Sequence, residues 1–206
     1  MDLSTRRLYL CSPPRADAAE FLASVIEGGV DVVQLRATSG TDRDVLRAAE
    51  TFRQVCARYG VPFVINDRPD LALAAGADGV HVGQDDVDVT TCRRILGPGA
   101  IVGLSTHARE ELSLALSEDV TYLSAGPVEA TPTKPGRPGT GLEYVGWATH
   151  KSPVPVFVTG GVRPESVEAM AASGVTHFVV VRYLTESPDP QGAARALRTA
   201  IDRALG

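Results

Sequence analysis

Short apolar runs recur along the chain, and each one follows a polar or glycine-containing turn. The segments 28–33, 75–80 and 173–178 place glycine before β-branched or aromatic residues, and segment 118–123 repeats the pattern without glycine. Glycine adopts the left-handed conformation in which helices end, and β-branched residues favour buried strands. The pattern therefore predicts a helix-to-strand unit that repeats along the chain.

Eight of these apolar runs are predicted to be strands, with helices between them. The runs are short and continuous, which is typical of parallel strands buried on both faces. The clearest helix is predicted over residues 41–59, where Thr41 caps an apolar stripe that includes Phe52 and Cys56 and where Gly60 ends the helix. The predicted strands are residues 8–12, 30–36, 62–66, 79–84, 101–105, 121–126, 155–160 and 177–182.

Eight alternating units predict an α/β fold, a single-domain (β/α)8 TIM barrel that occupies residues 1–206. This length leaves no room for a second catalytic domain. The alternative is an open doubly wound sheet, which usually carries a glycine-rich turn after its first strand. Here the first strand runs into Cys11-Ser12-Pro13-Pro14, so that turn is missing and the barrel is favoured.

Composition and charge narrow the functional class. Apolar residues make up 44% of the chain and charged residues 22%, a balance that supports a folded core rather than disorder. A net charge of −5, without a run of Lys or Arg, argues against nucleic-acid binding. The sequence contains no apolar stretch of about eighteen residues and no recognisable signal peptide, so no membrane span is expected. Three widely spaced cysteines favour reduced thiols and a cytoplasmic location.

The second predicted strand ends in a pair of anion-binding side chains. In a barrel, residues at the carboxyl ends of the strands face the active site. Strand alternation places Gln34 and Arg36 on the same side, towards this mouth. The alternative for Arg36 is a salt bridge to a neighbouring strand, because an unpaired buried charge is costly.

Carboxylates follow the third and fourth predicted strands. Asn66-Asp67 ends one strand and Gln84-Asp85-Asp86 ends the next, so Asp67 and Asp86 leave adjacent strands of the barrel. One or two carboxylates, completed by water and substrate phosphates, suit Mg²⁺. The alternative is that each aspartate merely caps the helix that follows.

A proline- and glycine-rich segment, 131–141, follows the sixth predicted strand and is expected to form a long loop at the mouth. Thr131 and Thr133 supply hydroxyls and Lys134 supplies a cation, a set that suits a phosphate dianion. A solvated loop without a ligand is the alternative.

The seventh and eighth predicted strands end at the positions where barrels usually bind phosphate. Gly160-Gly161 lets backbone N–H groups approach an anion, and Val181-Arg182 follows the last strand. His107, after the fifth strand, is expected to support the site or start the next helix rather than act as a general base, because no third group to orient it is visible. No two histidines have zinc-ligand spacing.

Six of these motifs, in chain order, resemble the thiamine phosphate synthase family over nearly the whole chain. The resemblance implies that 4-amino-2-methyl-5-hydroxymethylpyrimidine diphosphate is joined to 4-methyl-5-(2-phosphooxyethyl)thiazole, releasing pyrophosphate by a dissociative, Mg²⁺-dependent mechanism. It therefore implies two small phosphorylated substrates. The motifs are Gln34-Leu35-Arg36, Ile65-Asn66-Asp67-Arg68, the segment 81–86, Gly103-Leu104-Ser105-Thr106-His107, the segment 126–134 and Gly160-Gly161.

The resemblance also implies a role for each matching residue, with Arg36, Ser105 and Lys134 as the catalytic residues and Asp67 and Asp86 as the Mg²⁺ ligands. Its pyrimidine diphosphate site comprises Gln34, Leu35, Arg36, Ala37, Thr38, Asn66, Ser105 and Lys134. Its thiazole phosphate site comprises Thr131, Pro132, Thr133, Gly161, Val181 and Arg182.

Several positions depart from the family pattern. Ala37-Thr38 stands where the family usually has an acidic residue and a lysine, and Ser12-Pro13 where it commonly has Thr-Asp. Arg182 replaces a serine, and Glu129 replaces an apolar or aromatic residue beside the anion-binding loop.

Two alternative functions remain open at this level, a thiazole tautomerase on the same barrel and a catalytically silent thiamine-phosphate-binding protein. The missing lysine at position 38 favours a tautomerase, whereas Asp67, Asp86 and segment 131–134 favour the synthase because a tautomerase needs no diphosphate–metal site. A homo-oligomer is compatible with the sequence.

Overall fold

A computed structural model describes residues 2–130 and 138–206, and in this part of the chain eight parallel strands close into a barrel. Each strand pairs with the next in sequence, and the last pairs with the first through Leu8 and Phe178. The predicted (β/α)8 TIM barrel is therefore confirmed. The strands are β1 (Leu8–Ser12), β2 (Val32–Leu35), β3 (Phe63–Asn66), β4 (Gly79–Val82), β5 (Ile101–Thr106), β6 (Tyr122–Ala125), β7 (Val156–Val158) and β8 (His177–Val180).

Helices follow the strands and form the outer layer. The predicted helix over 41–59 is confirmed as α2, where the Thr41 hydroxyl accepts from the backbone N–H of Asp44 and the Asp44 carboxylate accepts from that of Thr41. The helices are α1 (Ala18–Glu27), α2 (Asp42–Tyr59), α3 (Pro69–Ala75), α4 (Val89–Leu96), α5 (Arg109–Ala115), α6 (Gly141–Lys151), α7 (Pro164–Ala172), α8 (Arg182–Thr185) and α9 (Pro190–Leu205).

All eight predicted strands are confirmed, although most of them are shorter than predicted. β2 ends at Leu35 and β4 at Val82, so Arg36 and Gly83 lie just beyond the paired segments. Strands in a barrel are tilted and staggered, so their last residues run past the neighbouring strand. The polar residues at these ends therefore line the mouth instead of continuing the sheet.

Two apolar layers hold the barrel together. The larger layer lies between strands and helices and contains outward-facing residues such as Leu35, which is 1% exposed. The smaller layer fills the barrel and brings together Tyr9, Tyr122 and Phe157 from β1, β6 and β7. Because successive side chains in a strand point to opposite faces, Gln34 points into the barrel where Leu35 points out of it.

A glycine in β5 makes room for the largest side chain of the inner layer. A Cβ on Gly103 would lie 2.1 Å from Cζ of Tyr122, far inside contact distance. The Tyr122 ring thus occupies space that any other residue at position 103 would fill.

Cys11, Cys56 and Cys92 are buried and are not paired in disulfides. Among the helices of the described residues, none is both long and apolar enough to cross a bilayer.

Candidate active site

A cavity of about 520 Å³ opens at the carboxyl ends of the strands. Its wall is built from inward-facing strand residues below and from the first residues of the βα loops above, as expected for the active-site face of a barrel. The residues predicted for the site that line this cavity are Gln34, Arg36, Asn66, Asp67, Asp86, Ser105, Gly161, Val181 and Arg182.

Other predicted site residues lie elsewhere. The Leu35 side chain packs in the outer core, and Leu35 does not line the cavity. Ala37 and Thr38 lie past the strand exit and do not line the cavity, and Thr38 is exposed. Four further predicted residues, Thr131, Pro132, Thr133 and Lys134, lie outside the described residues.

β2 delivers an amide and a guanidinium to the cavity. Gln34 is 5% exposed, and its polar end faces the open space. The backbone N–H of Arg36 donates to the carbonyl of Ser12 across a 2.8 Å bond. Arg36 lines the cavity, and the salt bridges within residues 2–130 and 138–206 do not include it. The guanidinium is positioned to attract an anion.

Asp67 follows β3 in a left-handed backbone conformation, with φ of 63°. Its backbone N–H donates to the carbonyl of His81 in β4 at 2.7 Å, which ties this turn to the neighbouring strand. The N-cap of α3 is Arg68, so the alternative in which Asp67 caps this helix is wrong. Non-glycine residues with positive φ are concentrated at functional sites.

Asp86 follows β4 and folds back on its own loop. Its Oδ2 accepts from the backbone N–H of Gly83 at 2.7 Å. The N-cap of α4 is Asp88, whose side chain accepts from Thr91, so Asp86 does not cap this helix either. Asp67, Asp86 and the adjacent Asp85 thus form the acidic side of the cavity.

Ser105, at the end of β5, is held from two directions. Its carbonyl accepts from Nε2 of Gln84 at 2.7 Å, and its Oγ lies 2.8 Å from Nε2 of His81. The other ring nitrogen of His81, Nδ1, lies 2.8 Å from Oη of Tyr122, which in turn lies 2.9 Å from Oη of Tyr9. Burial raises the pKa of both tyrosines, so both hydroxyls keep their protons.

The opposite side of the cavity is rich in backbone groups and arginine. Gly160 and Gly161 have φ of 93° and 77°, and a Cβ on Gly161 would lie 2.6 Å from the carboxylate of Glu129. That carboxylate pairs through both oxygens with Arg163, at 3.1 and 3.2 Å. The hydrogen-bonded Glu129 raises the pKa of Arg163. The negative charge of Glu129, which departs from the family pattern, is therefore balanced by the guanidinium of Arg163.

His107 is oriented by a residue that the sequence interpretation missed. Its Nδ1 lies 2.9 Å from Oε2 of Glu111, and the same oxygen accepts from the His107 backbone N–H at 2.7 Å. Glu111 lies in the first turn of α5, so the predicted role at a helix start agrees with the structure. The statement that no group orients His107 is wrong, and the spacing of four residues at a helix start was the available signal.

The whole chain is similar to proteins of known family. A family model described as thiamine monophosphate synthase matches residues 8–184. The chain belongs to the thiamine monophosphate synthase family. The resemblance inferred from the motifs is therefore confirmed.

Curated relatives match the chain over nearly its full length. A thiamine-phosphate synthase of Thermus thermophilus is 46% identical over 201 residues, which cover 95% of this chain and 97% of the relative. That of Thermobifida fusca is 44% identical over 204 residues, covering 97% and 94%.

Solved structures agree at the level of the fold. A thiamine phosphate pyrophosphorylase from Pyrococcus furiosus superposes with a TM-score of 0.88 and 28% identity over 97% of both chains. A 3-hexulose-6-phosphate synthase superposes with a TM-score of 0.68 at 20% identity, which shows a shared barrel and no more.

Proposed function

We propose that this member of the thiamine monophosphate synthase family joins the pyrimidine diphosphate to the thiazole phosphate. The bond from the pyrimidine methylene carbon to the diphosphate oxygen breaks, and its electron pair leaves with pyrophosphate. The thiazole nitrogen lone pair then forms the new carbon–nitrogen bond, so the reaction is balanced without an oxidant. One observation carries the proposal: a single cavity has anion-binding groups on two sides, Arg36 on one and Gly161 with Arg182 on the other.

The diphosphate is assigned to the side formed by β2, β3 and β5. Arg36 supplies the positive charge for the phosphates, and the amides of Gln34 and Asn66 supply neutral hydrogen-bonding groups in the same wall. Ser105 contributes a hydroxyl at the base of this side. Lys134 is the second cation of the proposal.

The acidic side of the cavity fits Mg²⁺ as the cofactor. Asp67 and Asp86 line one wall and carry hard carboxylate oxygens. Among the described residues, no group of three or more His, Cys, Asp or Glu side chains is placed to hold a metal. Two carboxylates, completed by water and the diphosphate itself, are the usual protein share of a Mg²⁺ site. When bound, the ion neutralises charge on the departing pyrophosphate.

The thiazole phosphate is assigned to the side formed by the loops after β7 and β8. Gly161 brings backbone groups to the cavity in a left-handed turn, and Arg182 adds a guanidinium at the rim. Thr131 and Thr133 complete this half of the proposal. Val181, beside Arg182, brings a further backbone group to the cavity.

The reaction requires the protein to position both substrates and to stabilise negative charge. It requires no protein nucleophile. Arg36 stabilises negative charge as it develops on pyrophosphate, and the two halves of the cavity hold the thiazole nitrogen facing the methylene carbon. Since the intermediate is a resonance-stabilised cation on the pyrimidine, a covalent bond to the protein is unnecessary. Both substrates are phosphorylated metabolites, and we place the reaction in the cytoplasm.

One assay tests this function against its alternatives. Purified protein is incubated with both substrates and Mg²⁺, and thiamine phosphate and pyrophosphate are measured in parallel. Stoichiometric formation of both supports the synthase, and the names of the relatives favour this outcome. Isomerised thiazole alone would establish a tautomerase. Thermal stabilisation by either substrate without product would establish a silent binding protein.

A further inference from the structure

Four hydrogen-bonded side chains form a continuous line along the buried floor of the cavity. Tyr9 in β1 contacts Tyr122 in β6, Tyr122 contacts Nδ1 of His81 in β4, and Nε2 of His81 contacts Oγ of Ser105 in β5. The three distances are 2.9, 2.8 and 2.8 Å. We name this set the Tyr–Tyr–His–Ser line.

The inner end of the line lies at the floor of the cavity, which Tyr9 and Tyr122 also line. Tyr9 is 2% exposed and Tyr122 is fully buried, in an apolar layer that also contains Val64 and Phe157. Within residues 2–130 and 138–206, Tyr122 is the one hydrogen-bond partner of the Tyr9 hydroxyl. A Tyr9 hydroxyl hydrogen that does not point to Tyr122 therefore has no oxygen or nitrogen among these residues to accept it.

Counting hydrogens sets the direction of every bond in the line. A neutral imidazole has one N–H and one acceptor nitrogen, so the bonds run either outwards from Tyr9 or inwards from Ser105. The inward order leaves the Tyr9 hydrogen without an acceptor among the described side chains, which is unfavourable for a buried hydroxyl. In the outward order, Tyr9 donates to Tyr122, Tyr122 donates to Nδ1, and Nε2–H donates to Ser105. Only the outward order satisfies every buried hydroxyl hydrogen.

The outward order determines what Ser105 presents to a substrate. Its Oγ accepts from His81, so its own hydrogen is directed to the cavity. The hydrogen bond from Gln84 to the Ser105 carbonyl fixes the backbone on which this hydroxyl rotates. Ser105 therefore presents its hydroxyl hydrogen to the cavity, which matches an anionic oxygen of a substrate.

We propose that His81 and Tyr122 are positioning residues, which hold Ser105 as a hydrogen-bond donor to an anionic oxygen of the departing pyrophosphate. The inference rests on the proposed function for the identity of this oxygen. The tautomer of His81 and the orientation of Ser105 follow from the buried line itself. Donors that are oriented before the reaction contribute more to catalysis than donors that must reorient during it.

The first measurement is the tautomer of His81 in the substrate-free protein. Side-chain ¹⁵N–¹H correlation spectra distinguish Nε2–H from Nδ1–H imidazole, and a His81→Asn variant assigns the signal among the four histidines. We expect a neutral ring with its proton on Nε2. A proton on Nδ1, or on both nitrogens, would overturn the direction of the line. Because substrate is absent, this result is independent of the proposed function.

The second measurement is kinetic and uses Tyr122→Phe, which removes the donor to His81 and keeps the ring. We expect kcat to fall about tenfold to 100-fold with KM for both substrates within about twofold, and the His81 signal to become a mixture of tautomers.

A double-mutant comparison shows whether Tyr122 acts through Ser105. In a Ser105→Ala background, Tyr122→Phe is expected to produce no further loss of kcat. An equal loss in both backgrounds would mean that the tyrosine acts through packing, and would overturn the proposal.

The matched control is Tyr144→Phe, which removes a buried hydroxyl that donates to Thr106 outside the line. It is expected to leave the His81 spectrum and kcat unchanged, and equal unfolding midpoints confirm that each variant is folded. If the tautomers behave as expected but the wild-type protein makes no thiamine phosphate, the proposed function is wrong while the assigned direction of the hydrogen bonds is retained.

Discussion

Asp67 combines an uncommon backbone conformation with a carboxylate in the cavity. Among the described residues it is the one non-glycine residue with positive φ. Asparagine and aspartate tolerate this conformation better than most residues, because their short polar side chains bond locally. The fold thus accepts a mildly strained residue at the point where the proposed Mg²⁺ ligand is needed.

Asp67→Asn is expected to separate stability from activity. Asparagine keeps the shape and the left-handed tolerance, so the free energy of unfolding in urea stays within about 0.5 kcal/mol. A neutral amide is a poor Mg²⁺ ligand, so Mg²⁺-dependent pyrophosphate release falls about 100-fold or more. Asp70→Asn, the same change on a residue paired with Arg68 at the surface, is the control and keeps full activity. Wild-type turnover in Asp67→Asn would remove Asp67 from the metal site.

Glu129 places a negative charge beside the proposed phosphate site, and Arg163 balances it. Both side chains are about half exposed, so the pair contributes little to stability. The effect of the pair on binding of the thiazole phosphate is expected to be larger, because the Glu129 carboxylate lies against Gly161.

Glu129→Gln is expected to lower KM for the thiazole phosphate about threefold to tenfold, because it removes a like charge and releases Arg163 for the substrate. KM for the pyrimidine diphosphate should not change, which makes the second substrate an internal control. Steady-state kinetics with each substrate varied in turn measure both values. A rise in KM for the thiazole phosphate would show that Glu129 supports binding instead of opposing it.

At the scale of elements, β5 and β6 pack closely because Gly103 has no side chain. Gly103 faces Tyr122, and the ring of Tyr122 stacks in turn against that of His81, with centroids 5.5 Å apart. The part of the inner layer around Tyr122 is therefore packed against Gly103, and the Tyr–Tyr–His–Ser line depends on this packing.

Gly103→Ala is expected to lower the free energy of unfolding by about 1–3 kcal/mol, because its Cβ would overlap the Tyr122 ring. Chemical denaturation measures the loss. Gly99→Ala, just before the same strand, is the matched control, since a Cβ there meets no atom within 4 Å. Equal free energies of unfolding for the two variants would mean that the inner layer accommodates the added Cβ without loss of stability.

At the scale of the whole molecule, the two ends of the barrel differ in what their polar groups do. The mouth collects charges that face an open cavity, whereas the opposite end pairs its charges internally. There Asp31 accepts from the backbone N–H groups of Arg7 and Leu8 and from the guanidinium of Arg198. His177 accepts from Arg7 beside this cluster.

His177 is expected to make the barrel sensitive to acid. Burial, reinforced by the Arg7 charge, lowers the pKa of His177 to about 4. Between pH 6.5 and about 4, His177 is protonated in the unfolded chain but stays neutral in the folded protein. The free energy of unfolding therefore falls as the pH drops through this range. The loss at pH 4.5 relative to pH 7 is about 2–3 kcal/mol.

The measurement is urea unfolding at both pH values for the wild type and for His177→Gln. The variant is less stable at pH 7 but should lose less stability on acidification. Asp31, whose pKa burial raises, is present in both proteins and cancels in the comparison. An identical pH dependence of the two proteins would rule out His177 as the source.

Several features followed from the sequence because they depend on local rules. The side of the strand that carries Gln34 and Arg36 follows from alternation, and the cap at Thr41 follows from residue type and spacing. Asp67 and Asp86 reach one cavity because consecutive parallel strands end at the same face of a barrel. These features needed no knowledge of the distances between strands.

Other features were decided only by the tertiary structure. The contact of Tyr9 with Tyr122, and that of Glu129 with Arg163, join residues far apart in sequence on different strands or loops. The stagger of eight tilted strands sets which inward side chains meet, and this stagger is a property of the closed barrel and not of any one segment. The sequence alone therefore determined which residues face the mouth, and closure of the barrel decided their partners.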